Sequence, residues 1–235
     1  MTPSTRDGAV DSVNHTSSGD RHGHLTHPTP THTPSARLAA GVVVALGIIV
    51  WRILAPPFGG APTYAEPRPE EVDDGYASVT HSVFIDAPPE QVWQWSNNPD
   101  LRLEDLVQFE NFPSVVGTEP LVGQWQPGLR EGDRRRVEFA DGHYLAEEVL
   151  IDSPEQFRYM IWGFTSPQRL AIQHGTAQFN YTPENGGTRL SWEYSFLPTL
   201  EVLRPAVDSF LESTMSPMMR ATLAAMRDGV EGAPR

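Results

Sequence analysis

Few side chains in this sequence could do covalent or acid–base chemistry, and most of those lie in one stretch. Arg134-Arg135-Arg136 precedes Asp141-Gly142, and Glu147-Glu148 follows it. Asp-Gly between two apolar-alternating runs signals a β-hairpin. With a two-residue turn, Arg136 stands opposite Glu147 and Arg135 opposite Glu148. One pair then looks into the protein and one out, and a one-residue bulge would re-pair them. Taking Leu145, Val149 and Ile151 as the buried set, Glu147 points inward. An inward carboxylate needs a partner or a raised pKa, which is how a general acid or base arises. The plainer reading is a structural cross-strand ion pair. His174 and His143 are the other candidate bases; otherwise they are loop or strand-end residues. Neither has a Ser, Cys or Asp arrangement that reads as a triad. Gly186-Gly187 is turn chemistry and no phosphate cradle. No His/Asp/Glu spacing in the domain resembles a metal-ligand set, so neither metal nor cofactor is expected.

Composition narrows the partners. The 235 residues carry a formal charge of −13, and all 17 basic residues are arginine. A surface this acidic argues against nucleic acid, whose phosphates want a basic face. The triple arginine, set among Glu131, Asp133 and Glu138, reads as a locally neutralised sheet surface. There is no cysteine, which excludes disulfides and thiolate metal sites.

The chain divides by composition. Residues 1–36 are rich in Ser, Thr, His, Pro and Gly and hold too little apolar surface to fold. Five histidines in this tail (His15, His22, His24, His27 and His32) could bind a transition metal loosely, or simply be solvated. Leu38 to Trp51 is wholly apolar, and continued through Arg52 to Ala55 it reaches eighteen residues, the low end of a membrane span. Arg37 and Arg52 sit at its ends, where guanidinium groups reach the headgroups. A core helix would show a polar face. A signal peptide would need a small-x-small cleavage site nearby, and Thr63-Tyr64-Ala65 is distant. Residues 37–55 are therefore read as a transmembrane helix that places the protein in the cell membrane as a single-pass chain. Cations are balanced across the run, so its orientation stays open. Residues 56–75 read as a stiff, charged spacer rich in proline and acid. Residues 76–230 are long enough for one core.

Within that domain, alternation predicts a strand over residues 77–86, and Ala87-Pro88-Pro89-Glu90 opens a helix running to Ser96. A second short helix over 99–107 and a strand over 109–116 follow. Strands over 133–139 and 143–151 flank Asp141-Gly142. A strand over 156–164 precedes a second hairpin, 172–181 with 188–196, around Asn185-Gly186-Gly187. From Leu200 to Met226 the period lengthens to that of a helix, with Pro205 and Pro217 expected to break or kink it. This order predicts an α+β fold in which a curved antiparallel sheet grips one long C-terminal helix, leaving a hollow between them.

Strand parity names the wall of that hollow. Leu190, Trp192, Tyr194 and Phe196 share one face, Phe157, Tyr159 and Ile161 another, with Phe179 and Tyr181 as neighbours. Trp93, Phe210 and Met215 are further candidates, with Met218, Met219 and Met226 on the helix. For each, plain core packing is the competing reading. The ligand-binding set so predicted comprises Trp93, Arg136, Glu147, Phe157, Tyr159, Ile161, Phe179, Trp192, Tyr194, Phe210 and Met215.

The run Val83-Phe84-Ile85-Asp86-Ala87-Pro88-Pro89-Glu90-Gln91-Val92-Trp93 resembles the opening of the SRPBCC (START-like, helix-grip) superfamily. Gly132 to Val137, Glu147-Glu148-Val149, Tyr159 and Gly187 to Tyr194 are similar to its polyketide cyclase/dehydrase branch. The resemblance implies an apolar cavity between sheet and helix that binds a lipid, isoprenoid or polyketide. It implies no shared catalytic residue. Three functions follow as expectations: a membrane-anchored binder of a hydrophobic small molecule; a cyclase or dehydratase using Glu147 with Tyr194 or His174; or an interaction module with a sealed interior. Oligomeric state is not legible.

Overall fold

The computed structural model describes residues 54–98, 100–102, 106 and 112–233. Seven strands form one antiparallel, curved sheet in the order β1-β7-β6-β5-β4-β3-β2. They are β1 (Ala77–Ile85), β2 (Val115–Val122), β3 (Arg134–Phe139), β4 (Tyr144–Asp152), β5 (Gln156–Trp162), β6 (Ile172–Glu184) and β7 (Gly187–Pro198). Helix α1 (Pro89–Ser96) follows β1, with proline at its first positions, where a missing N–H costs nothing. Pro120 lies in β2, an edge strand, where the absent donor is tolerated. The second short helix expected over 99–107 and the start of the 109–116 strand fall mostly outside the described residues. β2 itself begins at Val115.

The C-terminal helical rod runs from α2 (Arg204–Phe210) through a π-helical turn, Leu211–Met215, into α3 (Ser216–Gly232). The two prolines act differently. Pro205 sits in the first turn of α2, while Pro217 opens α3 directly after the π turn. Proline cannot donate to the preceding turn, and the wider turn accommodates that gap. The core lies between the concave sheet face and this rod. Leu190, Trp192 and Phe196 of β7 meet Leu211, Met219, Leu223 and Met226 there.

The β3–β4 hairpin departs from the expected register. Phe139 N–H donates to His143 O and Gly142 N–H to Phe139 O, leaving three residues in the turn. Gly142 adopts φ +80°, the left-handed residue that a type I turn with a bulge requires. The extra residue slides the ladder by one, so Arg135 pairs with Glu147, Arg134 with Glu148, and Arg136 with Ala146. A second irregularity at Leu150 shifts parity again: Val149 pairs with Tyr159, but Asp152 pairs with Phe157. Asp152, not the expected Ile151, therefore continues the inward set.

Residues 56–76 also depart from expectation. They do not stand free as a spacer but lie across the outer sheet face. Tyr64 donates its hydroxyl to Gly163 O at 2.8 Å and packs beside Met160 and Trp162. Arg134 donates to the carbonyls of Tyr64 and Glu66, and Arg136 to that of Pro62. Ion pairs join Arg68 to Glu148 and Arg158 to Glu71. Extended segments rich in proline lose little entropy when fixed, and this one finds arginine donors along its length. Among the described residues no helix is long and apolar enough to cross a membrane. The apolar run 38–55 lies, but for its last two residues, outside them.

Candidate functional site

Sheet and rod enclose a cavity of about 460 Å³. β5 lines it with Phe157, Tyr159 and Ile161; β6 with Phe179 and Tyr181; β7 with Trp192, Tyr194 and Phe196. The rod contributes Phe210, Met215, Met218 and Met226, while Met219 is packed in the core instead. The aromatics touch one another. Phe179 and Trp192 stack with centroids 4.6 Å apart, and Trp192 and Tyr194 lie 5.1 Å apart. This is a wall of rigid rings at favoured separations.

Three of the sequence candidates lie elsewhere. Arg136 is turned outward by the hairpin register and pairs with Glu119 and the Pro62 carbonyl. Arg135 takes the cavity position instead. Trp93 packs against the core behind α1 without lining the cavity. His174 is fully buried but on the outer sheet face, where its Nε2 lies 2.9 Å from the Tyr76 hydroxyl. It is thus separated from Glu147. Burial lowers its pKa, only partly countered by Glu71, so the ring is neutral near pH 7.

Glu147 does face the cavity. Arg135 binds its carboxylate, with Nε 2.7 Å and Nη2 2.6 Å from Oε2, and the Arg135 guanidinium lies 4.2 Å from the Trp125 ring centroid. The Tyr159 and Tyr194 hydroxyls are 3.3 Å apart. One donates to the other, leaving the second proton for a ligand acceptor. Burial, reinforced by Tyr194 and Glu147, raises the pKa of Tyr159, and burial and Glu147 raise that of Tyr194. Tyr181 is pushed up by burial to about 12. All three stay protonated donors at neutral pH. Trp192 Nε1 is buried and has no hydrogen-bond partner among the described residues.

Sequence reasoning missed the other buried ion pair. Arg130, in the loop before β3, binds Asp152 through Nε at 3.0 Å and Nη2 at 2.7 Å and also reaches Asn97. Its guanidinium lies 4.2 Å from the Phe157 ring centroid. Burial would raise the Asp152 pKa, but the hydrogen bonds and charge of Arg130 outweigh it and hold the carboxyl below its ordinary range. Only the Leu150 bulge brings Asp152 inward, and no sequence signal marks that bulge. His143 stands at the opposite end, at the cavity rim, with Nδ1 3.2 Å from Thr165 Oγ1 and Nε2 3.3 Å from Leu54 O. A carbonyl only accepts, so Nε2 carries a proton in that contact. Among the described residues no three His, Asp or Glu side chains converge as a metal site.

Residues 76–231 match the family described as polyketide cyclase/dehydrase and lipid transport. The chain belongs to this family. Its SRPBCC-type fold recurs in solved structures. A norcoclaurine synthase point mutant from Thalictrum flavum, in complex with a transition-state analogue, is 16% identical. It superposes with a TM-score of 0.50 over 68% of this chain and 97% of its own. The di-domain aromatase/cyclase StfQ of the steffimycin biosynthetic pathway is 11% identical, with a TM-score of 0.50 over 66% of this chain and 51% of its own. These likenesses concern the fold alone. A comparison with curated proteins yields no match. For this SRPBCC domain, then, the cavity is the feature to explain.

Proposed function

We propose that this protein is a membrane-tethered carrier that binds a hydrophobic small molecule bearing at least one hydrogen-bond acceptor. The observation that carries the reading is the cavity. At about 460 Å³ it falls within the range of sites for small ligands, and twelve Phe, Tyr and Trp side chains and three methionines line it. An interaction module with a sealed interior would not keep such a void, because empty apolar space forfeits packing energy. The ligand's polar group is read by the tyrosine pair and the Trp192 indole N–H. Its body fills the space between β5–β7 and the methionines, whose flexible side chains adapt to shape. The apolar run from Leu38 to Trp51, eighteen residues when continued through Arg52 to Ala55, supports a tether, which would concentrate the cavity where hydrophobic molecules partition.

Turnover has less support. Glu147 is ion-paired to Arg135, and His174 lies on the other side of the sheet, so of the two expected acid–base couples only Glu147 with Tyr194 shares the cavity, with its carboxylate already engaged. The test is binding of cis-parinaric acid to the full chain in mild detergent. Its emission should rise on binding and fall when unlabelled lipid extract competes. Leu145→Trp, which fills the cavity from β4, should abolish the signal while leaving the fold intact by circular dichroism. Equal binding to both chains would place the ligand elsewhere and defeat the proposal.

A further inference from the structure

Residues 56–76 form a strap whose start and course have a consequence for the cavity. The strap crosses β3, β4 and β5 on the outer face, then reaches β6, where Tyr76 meets His174, before entering β1. Tyr64 packs closely against Gly163. A Cβ on Gly163 would stand 2.4 Å from a Tyr64 ring carbon, so only glycine permits that approach. The strap's other end lies at the tip of the β3–β4 hairpin. Leu54 O accepts from His143, and Pro56 Cγ stands 3.2 Å from where a Gly142 Cβ would be. His143 lines the cavity, as do its neighbours Phe139 and Asp141. Leu54, whose carbonyl meets His143, is 54% exposed, and Leu170, at the end of the loop that lines the cavity with Ser166 and Gln168, is 53% exposed.

Leu54 and Ala55, the last residues of the run that begins at Leu38, are therefore held at this rim. We infer that the strap seats this rim against the bilayer surface, so that the partner of this face is a lipid bilayer and the cavity exchanges its ligand directly with it. The inference rests on the tether proposed above and adds an orientation. The β3–β4 tip lies against the membrane, and the β4–β5 turn is held roughly 27 Å away, the length of the nine-residue strand β4. A free spacer would fix neither. The exposed apolar side chains at the rim then meet headgroups and acyl chains and not water.

The absence of native cysteine makes a site-labelling test clean. Ala140→Cys at the hairpin tip and Glu155→Cys in the β4–β5 turn are each labelled with NBD in the full chain. The chains are reconstituted in phosphatidylcholine vesicles with and without 5-doxyl phosphatidylcholine. The inference expects loss of most Ala140 emission to the quencher and none of the Glu155 emission. Gly163→Val, which lifts Tyr64 off the sheet, should reduce the difference while the chain still sediments with the vesicles. Equal quenching at both sites in sedimenting chains overturns the orientation and leaves the tether standing. Chains that do not sediment overturn the tether, and the orientation with it.

Discussion

Arg130 and Asp152 meet in a buried, two-pronged ion pair at the end of β4 away from the β3–β4 hairpin, with Nη2 2.7 Å from Oδ1 and Nε 3.0 Å from Oδ2. Both side chains are almost wholly shielded from solvent. Removing one partner of such a pair strands the other charge. Arg130→Met should therefore lower stability by about 3–5 kcal/mol. Adding Asp152→Asn should recover part of that loss, because the carboxylate is no longer unpaired. Denaturant titration of the single and double variants checks this.

The same pair sets an acid limit. Because Arg130 holds the Asp152 pKa below its unfolded value near 3.9, its contribution is present above that pH and lost as pH falls through the lower folded value. In Arg130→Met the carboxylate lacks its partner, so its stability relative to wild type should improve as the pH is lowered toward about 4. Thermal melts across that range measure the difference.

His174 acts in a different window. Its folded pKa lies below the unfolded value near 6.5, so the neutral ring is favoured. Its contribution is complete above about pH 6.5 and falls as acidification charges the unfolded chain first. Wild type should lose stability between about pH 7.5 and 5.5, and His174→Gln should flatten that slope. Unfolding midpoints at the two pH values decide it.

Arg135 and Arg136 should part company on substitution. Arg135→Ala leaves Glu147 unpaired beside the aromatic wall and should reduce both stability and ligand affinity. Arg136→Ala removes contacts to Glu119 and the strap and should leave affinity unchanged. The two-residue-turn register predicts the reverse, so paired binding titrations test the hairpin directly.

That register marks where the sequence stops being legible. Strand alternation and the shift to a helical period are enough to recover β1, β3 to β7, the rod and the β5–β7 wall, because each depends on side-chain period alone. β2, irregular and interrupted by Pro120, runs six residues past the strand expected over 109–116. Which arginine looks inward depends on one extra residue in the turn before Gly142, and Asp-Gly is compatible with both turn lengths. The Leu150 bulge is equally silent, and with it the role of Asp152. Residues 56–76 have a spacer's composition. Their docking depends on outward arginines whose direction follows from that same register. Trp93 packs on the core outside the cavity lining, because a short helix does not by its sequence fix which neighbour its tryptophan meets.

Tyr194→Phe keeps the ring and removes one hydroxyl of the pair that would read the ligand's acceptor. The expected cost is about 1 kcal/mol of binding, roughly fivefold in Kd, with stability little changed. Parinaric acid titration of the two chains measures it.

The most direct test is native mass spectrometry of the full chain, released from mild detergent after purification from a bacterial host. A bound small-molecule mass is expected on the wild-type chain and none on Leu145→Trp. A chain that flies without ligand, and stays so after incubation with lipid extract, would contradict it.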